Sequence, residues 1–253
     1  MLKTRVIPCL LLKGTGLVKT VKFKNPVYVG DPINATKIFN DKEVDELVFL
    51  DISATPEKRN PNMKLIATIA SEAFMPFGYG GGIQTLNDIE QLFMLGVEKV
   101  ILNTIAFTAP QLVTEASSIF GIQSIVIAID VKSNIWGNPE VWTACGKYNT
   151  KKSPAEYALR MQDLGAGEIF LNSIDRDGTM KGYDINMIKS VTARIEIPLV
   201  ASGGAGNLQD FRAAIKEGKA SAASAGSIFV FQGIHRAVLI TFPEHKELEN
   251  LFE

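Results

Sequence analysis

The stretch Leu199–Gly206, LVASGGAG, decides how this chain is expected to fold. Apolar residues of strand character lead into Ser202, and the glycines that follow let the backbone turn tightly. Where a strand gives way to a helix, such a turn presents backbone N–H groups without obstruction by side chains. A backbone can hold a phosphate in this way, although an ordinary turn also accounts for a single glycine cluster.

A second glycine cluster stands earlier in the chain. Phe77-Gly78-Tyr79 leads into Gly80–Ile83, and each of the two apolar runs is preceded by a proline. Helical patterns follow both clusters, over Leu86–Leu95 and Leu208–Ile215. Two copies of one strand–turn–helix pattern indicate a duplicated half.

Short apolar runs alternate with amphipathic stretches along the whole chain. Continuous apolar character is typical of parallel strands that are buried on both faces. Eight such units in about 250 residues predict a (β/α)8 TIM barrel with internal half-barrel duplication, formed by residues 1–253 as one domain without an internal linker. The predicted strands are Arg5–Leu10, Glu46–Asp51, Phe77–Tyr79, Lys99–Leu102, Ser124–Asp130, Glu168–Ser173, Pro198–Ala201 and Ala222–Ala225, the last of which has poor β propensity.

Two long segments follow predicted strands. Residues 13–31 follow the first strand, and residues 131–154, with Trp136 and Trp142, follow the fifth. Both are predicted to be loops at the catalytic face of the barrel, where segments of this length are usually lids or binding loops. The tryptophans fit hairpin packing within the loop after the fifth strand better than stacking on a substrate.

Composition excludes several classes of function. Hydrophobic residues make up 46% of the 253 residues and charged residues 21%, and the net charge of −1 provides no long-range attraction to nucleic acid or an anionic membrane. Any phosphate should therefore belong to a small ligand. Two cysteines and two histidines are too few for a metal site, and we expect neither metal nor cofactor. The apolar run near the N-terminus is too short for a signal peptide or a membrane span, which favours a cytoplasmic protein.

The repeat pairs further positions in the two halves. Phe49–Ile52 resembles Ser173–Arg176, and Cys9–Lys13 aligns with Ala128–Lys132. This alignment places Leu11 opposite Asp130. One half therefore has a carboxylate at the mouth of the barrel, and the other half has an aliphatic side chain.

At these residues the chain resembles HisF, the cyclase subunit of imidazole glycerol phosphate synthase, over almost its whole length. The resemblance lies in blocks such as Asp45–Ile52, Gly80–Ile83, Ser173–Thr179 and Ala201–Gly206. It implies a half-barrel-duplicated (β/α)8 barrel that forms a heterodimer with a glutaminase, HisH. The partner supplies ammonia, which is added to a bisphosphorylated ribosyl carboxamide to give imidazole glycerol phosphate and an aminoimidazole carboxamide ribotide.

The resemblance assigns roles at the mouth. Asp130 matches the second of two catalytic aspartates and the first falls on Leu11, whereas spacing alone also allows Asp130 to cap the following loop. The residues that match phosphate-binding clusters are Gly82, Asn103, Thr104, Gly203, Gly204, Gly226 and Ser227, with Gly226 where the family usually has alanine. Lys19, Asp51, Asp177 and Ser202 match positions that line the active-site mouth.

Four charged residues stand where predicted strands begin, at the end opposite the mouth. Arg5, Glu46, Lys99 and Glu168 could be solvated strand starts or a stabilising ion-pair ring, and surface pairs contribute only about 0–1 kcal/mol. The resemblance instead implies that they form an ammonia gate on the glutaminase side.

Three functions are consistent with these residues. A missing acid/base group typically costs about 10²–10⁴-fold in rate, so Leu11 favours a HisF-like paralogue that supports amidation of a surface-polysaccharide sugar. The alternative is the imidazole glycerol phosphate synthase cyclase of histidine biosynthesis, with another carboxylate in place of the one missing at Leu11. A noncatalytic scaffold that conducts ammonia is the third interpretation.

Overall fold

A computed structural model describes residues 4–233 and 235–253 of the chain. Within them a closed barrel of eight parallel strands is present, each strand hydrogen-bonded to its two neighbours. In chain order the strands are β1 (Arg5–Lys13), β2 (Gly16–Val21), β3 (Lys24–Gly30), β4 (Leu47–Asp51), β5 (Phe77–Gly80), β6 (Lys99–Leu102), β7 (Ile125–Ser133), β8 (Pro139–Thr143), β9 (Tyr148–Asn149), β10 (Glu168–Ser173), β11 (Leu199–Ser202), β12 (Ala222–Ala225), β13 (Phe231–Gln232) and β14 (Ala237–Val238). The barrel consists of β1, β4, β5, β6, β7, β10, β11 and β12 and closes through the β12–β1 pair.

All eight predicted strands are confirmed, with ends that differ by up to three residues. The alanine-rich β12 forms despite its weak propensity, because it is buried and pairs with both β1 and β11. Within it, the Ser224 hydroxyl donates to the Ile7 carbonyl at 3.0 Å, so this buried polar group has a partner. Tertiary packing therefore overrides local propensity here.

The two long segments, predicted as loops with hairpin packing in the second, both form β-hairpins. β2 and β3 pair antiparallel after β1, and β8 and β9 pair antiparallel after β7. In both places the preceding barrel strand continues outward and pairs with the next strand of the hairpin. The first and fifth units thus end in the same supersecondary structure, as a duplicated half requires.

Helices cover the outside of the barrel, and their ends repeat between the halves. They are α1 (Pro32–Asp41), α2 (Met63–Glu72), α3 (Leu86–Met94), α4 (Thr104–Thr108), α5 (Gln111–Phe120), α6 (Pro154–Asp163), α7 (Ile185–Thr192), α8 (Leu208–Lys216), α9 (Ser227–Val230) and α10 (His245–Phe252). The two helices after the glycine clusters, α3 and α8, both begin with a capping box, Thr85 with Asp88 and Asn207 with Asp210. Among the described residues, no helix combines the length and apolarity needed to cross a bilayer.

Two apolar regions stabilise the structure. The larger fills the space between strands and helices, and the smaller lies inside the barrel. The inner cluster is built from Ile7, Cys9, Val48, Ile101, Val126, Ala128, Phe170, Val200 and Ala222, with Leu11 and Leu50 packed against it. The barrel axis is therefore lined by hydrocarbon between its two polar ends.

Candidate active site

A cavity of about 650 Å³ opens at the carboxyl ends of the barrel strands. It is lined by residues of seven barrel strands, β1, β4, β5, β6, β7, β10 and β11, and of the turns just after them. Predicted mouth residues that line it are Asp51, Gly82, Asn103, Thr104 and Asp130. Active sites of this fold lie at the same end, because the loops that follow the parallel strands converge there.

Asp130 lies at this cavity with a carboxamide on each of its oxygens. Asn103 Nδ2 donates to Oδ2 at 3.2 Å, and Asn172 Nδ2 donates to Oδ1 at 3.1 Å. These donors are side chains rather than backbone amides, so Asp130 does not cap the following loop. Burial raises the pKa of Asp130 to about 7, while the Asn172 and Asn103 hydrogen bonds lower it and the Asp177 charge raises it. A carboxyl group of this kind can both take up and release a proton near neutral pH.

A smaller cavity of about 40 Å³ adjoins the first in the other half of the mouth. It is lined by Lys19, Gly203, Gly204, Gly226 and Ser227, and it shares Asp177 and Ser202 with the larger cavity. All of the residues predicted for the mouth thus line one of two neighbouring cavities.

One position in each of the two glycine clusters requires glycine. Gly82 has φ +74°, and a Cβ there would lie 2.6 Å from the Arg59 carbonyl oxygen. Gly203 has φ +83°, and a Cβ there would lie 2.5 Å from Asn172 Oδ1 and 2.8 Å from the Ser173 carbonyl oxygen. Neighbouring protein atoms exclude a side chain at both positions, and the backbone of each glycine lines a cavity.

Lys19 extends from β2 into the smaller cavity and is 6% exposed. Its Nζ donates to the Cys9 carbonyl oxygen at 2.5 Å, and burial lowers the pKa of Lys19. The Lys19 amino group occupies the space that a side chain at residue 226 would fill, so Gly226 is what admits it. The mouth therefore contains a buried amino group beside the glycines of the second half.

Asp177 lies where the two cavities meet, together with Leu11. Thr20 Oγ1 donates to Asp177 Oδ2 at 3.0 Å, and Lys22 N donates to the Asp177 carbonyl at 2.9 Å. The first hairpin is thus attached to this residue. Burial raises the pKa of Asp177, while the Thr20 hydrogen bond and the Lys19 charge lower it.

Asp51 has its oxygens engaged within its own loop. Asp51 Oδ1 accepts from the backbone N–H groups of Ser53 and Ala54, and Arg59 Nη2 lies 2.8 Å from Oδ2. These contacts fix the loop after β4. Asp51 therefore lines the cavity as the anchor of that loop.

The second hairpin, formed by β8 and β9, contacts the turn after β6 that contains Asn103 and Thr104. Thr104 Oγ1 accepts from Ala144 N at 3.0 Å, and Cys145 Sγ donates to the Ile52 carbonyl at 3.4 Å. Burial raises the pKa of Cys145, which lines the larger cavity, to about 11. Trp136 is 80% exposed, and neither it nor Trp142 lines either cavity, which favours the packing interpretation for Trp142.

At the opposite end, Arg5, Glu46, Lys99 and Glu168 form a closed ring of ion pairs. Arg5 contacts both glutamates, and Lys99 Nζ lies 2.9 Å from Glu46 Oε1 and 2.9 Å from Glu168 Oε2. Both glutamates are only 5% exposed. The solvated-strand-start interpretation is therefore wrong, and the expectation of a surface-type contribution does not apply to these pairs.

Sequence reasoning missed Asn172 because it aligned the halves two residues out of register at this strand. β-sheet pairing sets Leu50 beside Leu11 and Asn172 beside Asp130, so Leu50 and Asn172 correspond. The matched spacing of Glu46 and Glu168 before them was the signal that would have given this register. The similarity of Asp51-Ile52 to Asp175-Arg176 is local and does not reflect equivalent positions.

Known proteins of similar sequence are HisF proteins or proteins of histidine biosynthesis. A family profile described as histidine biosynthesis protein matches residues 5–235. A Pseudomonas aeruginosa protein, provisionally named imidazole glycerol phosphate synthase subunit hisF2, is 51% identical over 98% of this chain and 99% of its own. A provisionally named HisF of Leptospira interrogans is 46% identical over the whole of both chains. Imidazole glycerol phosphate synthase subunit HisF of Alkaliphilus metalliredigens is 41% identical over 92% of this chain and 93% of its own.

The fold and the two polar ends define a (β/α)8 barrel with a buried carboxyl group at its mouth and a ring of ion pairs at the opposite end. With the profile and these relatives, the chain belongs to the histidine biosynthesis protein family and, within it, to the HisF proteins.

Proposed function

We propose that this chain is the ammonia-using cyclase subunit of an imidazole glycerol phosphate synthase. The observation that carries the proposal is the placement of a buried ion-pair ring and an acid-bearing mouth at the two ends of one apolar barrel interior. Neutral ammonia can cross an apolar interior, whereas ammonium would pay the large cost of burying a charge. The names of the relatives support the same activity.

At the mouth, Asp130 is the proposed proton-transfer residue. Leu11 supplies no second carboxylate, but Asp177 lines the same cavity and is buried. We infer that Asp177 takes the part of the carboxylate missing at Leu11. The glycine cradles at Gly82 and Gly203 would bind the two phosphates of the substrate through backbone N–H groups.

A HisH-like glutaminase is the proposed partner, in a heterodimer formed at the ring end. The segments that lead into β5, β6 and β7, on the side of the barrel where those strands begin, expose large apolar side chains. These are Phe74, Met94, Ile119 and Ile122, which are 87, 78, 62 and 55% exposed. Exposed apolar residues grouped on one face are a feature of protein–protein interaction sites. A partner bound there would release ammonia directly at Lys99 and Arg5.

Leu11 favours a second candidate, the amidation of a surface-polysaccharide sugar by a paralogue. Leu50 lies beside it on the neighbouring strand, so one side of the mouth is aliphatic. A site of this kind could release ammonia toward an acceptor other than the ribosyl carboxamide. The two candidates share the barrel interior and the ring, and they differ only in the chemistry at the mouth.

The turnover of purified protein with ammonium and the bisphosphorylated ribosyl carboxamide tests the proposal. Bulk ammonium bypasses both the partner and the ring, so the assay isolates the mouth. We expect imidazole glycerol phosphate to form, and we expect Asp130→Asn and Asp177→Asn each to slow turnover by about 10²–10⁴-fold. Asp163→Asn, at an exposed aspartate that ends α6, is the matched control.

Two outcomes would redirect the interpretation. Absence of turnover in the wild-type protein would favour the sugar-amidation candidate. Turnover that is lost in Asp130→Asn but unchanged in Asp177→Asn would remove Asp177 from the proposed chemistry while retaining the cyclase.

A further inference from the structure

The carboxylate of Asp130 is held by two carboxamides, one from each side. Asn103 reaches it from the end of β6 and Asn172 from within β10, the strands on either side of β7. Each amide donates to a different oxygen, at 3.2 Å and 3.1 Å. Asn103 also donates to the Ala128 carbonyl at 2.9 Å, so its amide is itself fixed.

The surroundings of Asn172 fix its orientation. It is 9% exposed and lies in register with Asp130 across the β7–β10 pair. Its Oδ1 lies against Gly203, where a Cβ would approach to 2.5 Å. The amide nitrogen therefore faces the carboxylate, and the opposite orientation would set two oxygens against each other. A glycine of the phosphate cradle thus makes room for the side chain that contacts Asp130.

We propose that Asn172 is a positioning residue that, together with Asn103, aims the Asp130 carboxylate into the cavity and determines how readily it takes up a proton. This inference deepens the proposed function and rests on the part assigned there to Asp130. Because each donor occupies one oxygen, the remaining lone pairs of both oxygens are the ones available to a substrate.

The charged and titratable groups around Asp130 explain why a single amide hydrogen bond affects its pKa. Titratable groups that interact with Asp130 are Asp177, Cys9 and Cys145, and the thiols are neutral at pH 7 because burial raises the pKa of Cys9 to about 12 and of Cys145 to about 11. Asp177 opposes ionisation of Asp130, as burial does. The two amides are the groups that favour the ionised form. Removing either should therefore raise the pKa of Asp130.

Carboxyl ¹³C NMR of aspartate-labelled protein measures this directly, with the Asp130 signal assigned from Asp130→Asn. We expect a wild-type midpoint of about 7. In Asn172→Ala the midpoint should rise by about one pH unit, the size expected for loss of one hydrogen bond to a charged group. Asn172→Asp should give two coupled titration steps, because two carboxylates within hydrogen-bonding distance share a proton.

Asn149→Ala is the matched control. Asn149 Nδ2 also donates to a carboxylate, Glu140 Oε2, at 2.6 Å, but on the second hairpin. This variant should leave the Asp130 midpoint unchanged. If Asn172→Ala does not fold, Asn172→Leu retains the side-chain volume and removes the donor, with the same expected rise.

An unchanged midpoint in folded Asn172→Ala or Asn172→Leu would overturn the positioning role. The titration requires neither substrate nor partner. A missing cyclase activity would therefore refute the proposed function, whereas a missing shift of the Asp130 midpoint would refute this inference alone.

Discussion

Replacing Lys99 with methionine should destabilise the barrel far more than removal of an ordinary surface lysine. Lys99 Nζ is 2.9 Å from an oxygen of Glu46 and 2.9 Å from an oxygen of Glu168, and both glutamates are 5% exposed. Without Lys99, Arg5 is the one cation within residues 4–233 and 235–253 that still pairs with these two buried carboxylates. The cost arises mainly from charge that is left incompletely compensated, rather than from the contact itself.

The magnitude follows from burial. Removing one partner of a buried ion pair costs about 3–5 kcal/mol, and because Arg5 still contacts both glutamates we expect the lower end, about 3 kcal/mol. For a chain of this length, such a loss lowers the melting temperature by about 6–12 °C. Urea and thermal unfolding followed by far-ultraviolet circular dichroism measure both quantities.

Lys37→Met provides the control. Lys37 Nζ lies 3.4 Å from Glu72 Oε1, and the two side chains are 54 and 36% exposed. Loss of this solvated pair should cost less than about 1 kcal/mol, and added salt should abolish the difference from wild type. If Lys99→Met is no more destabilising than Lys37→Met, the ring does not behave as a buried network and the reasoning fails.

Other perturbations have equally specific outcomes. Gly226→Ala should displace the Lys19 amino group and weaken the binding of inorganic phosphate, as measured by calorimetry. An unchanged affinity would show that Lys19 takes no part in phosphate binding. Cys145, with its pKa raised from 9.0 to about 11, should react with iodoacetamide about 100-fold more slowly at pH 8 than an unperturbed thiol. A rate equal to that of a free thiol would contradict the raised pKa of Cys145. Phe74→Asp should weaken co-purification with a HisH-like glutaminase, whereas Trp136→Asp, at an exposed site on the mouth end, should not.

The barrel could be predicted from the sequence because its signals are local. Continuous apolar runs and glycine turns identify strands and their carboxyl ends without knowledge of tertiary contacts. The individual strands of the hairpins at residues 16–30 and 139–149 could not be located in this way, although the sequence indicated hairpin packing in the second. Their strands are short and partly exposed, and they are stabilised by pairing with the extended β1 and β7. Pairing of this kind is visible only in the folded barrel.

In the site, too, local features could be predicted from the sequence and tertiary contacts could not. The sequence located Asp130 and the glycine clusters, because a carboxylate and a turn at a strand end can be recognised in place. It did not show that Asn172 contacts Asp130, nor that Glu46 and Glu168 are buried. Both facts depend on the register between strands that are about 40 or more residues apart in the chain. A shift of two residues in the repeat alignment is enough to hide Asn172.

Duplication has left the two halves of the mouth chemically different. At corresponding strand positions, the first half has Leu11 and Leu50, and the second half has Asp130 and Asn172. Asp177 follows β10 and belongs to the second half as well. The apolar interior therefore continues up to the mouth on one side and meets carboxyl and carboxamide groups on the other. Ammonia that emerged along the aliphatic side would remain neutral until it faced Asp130. In the proposed reaction, proton transfer thus depends on groups of one half-barrel, while the proposed phosphate binding depends on both.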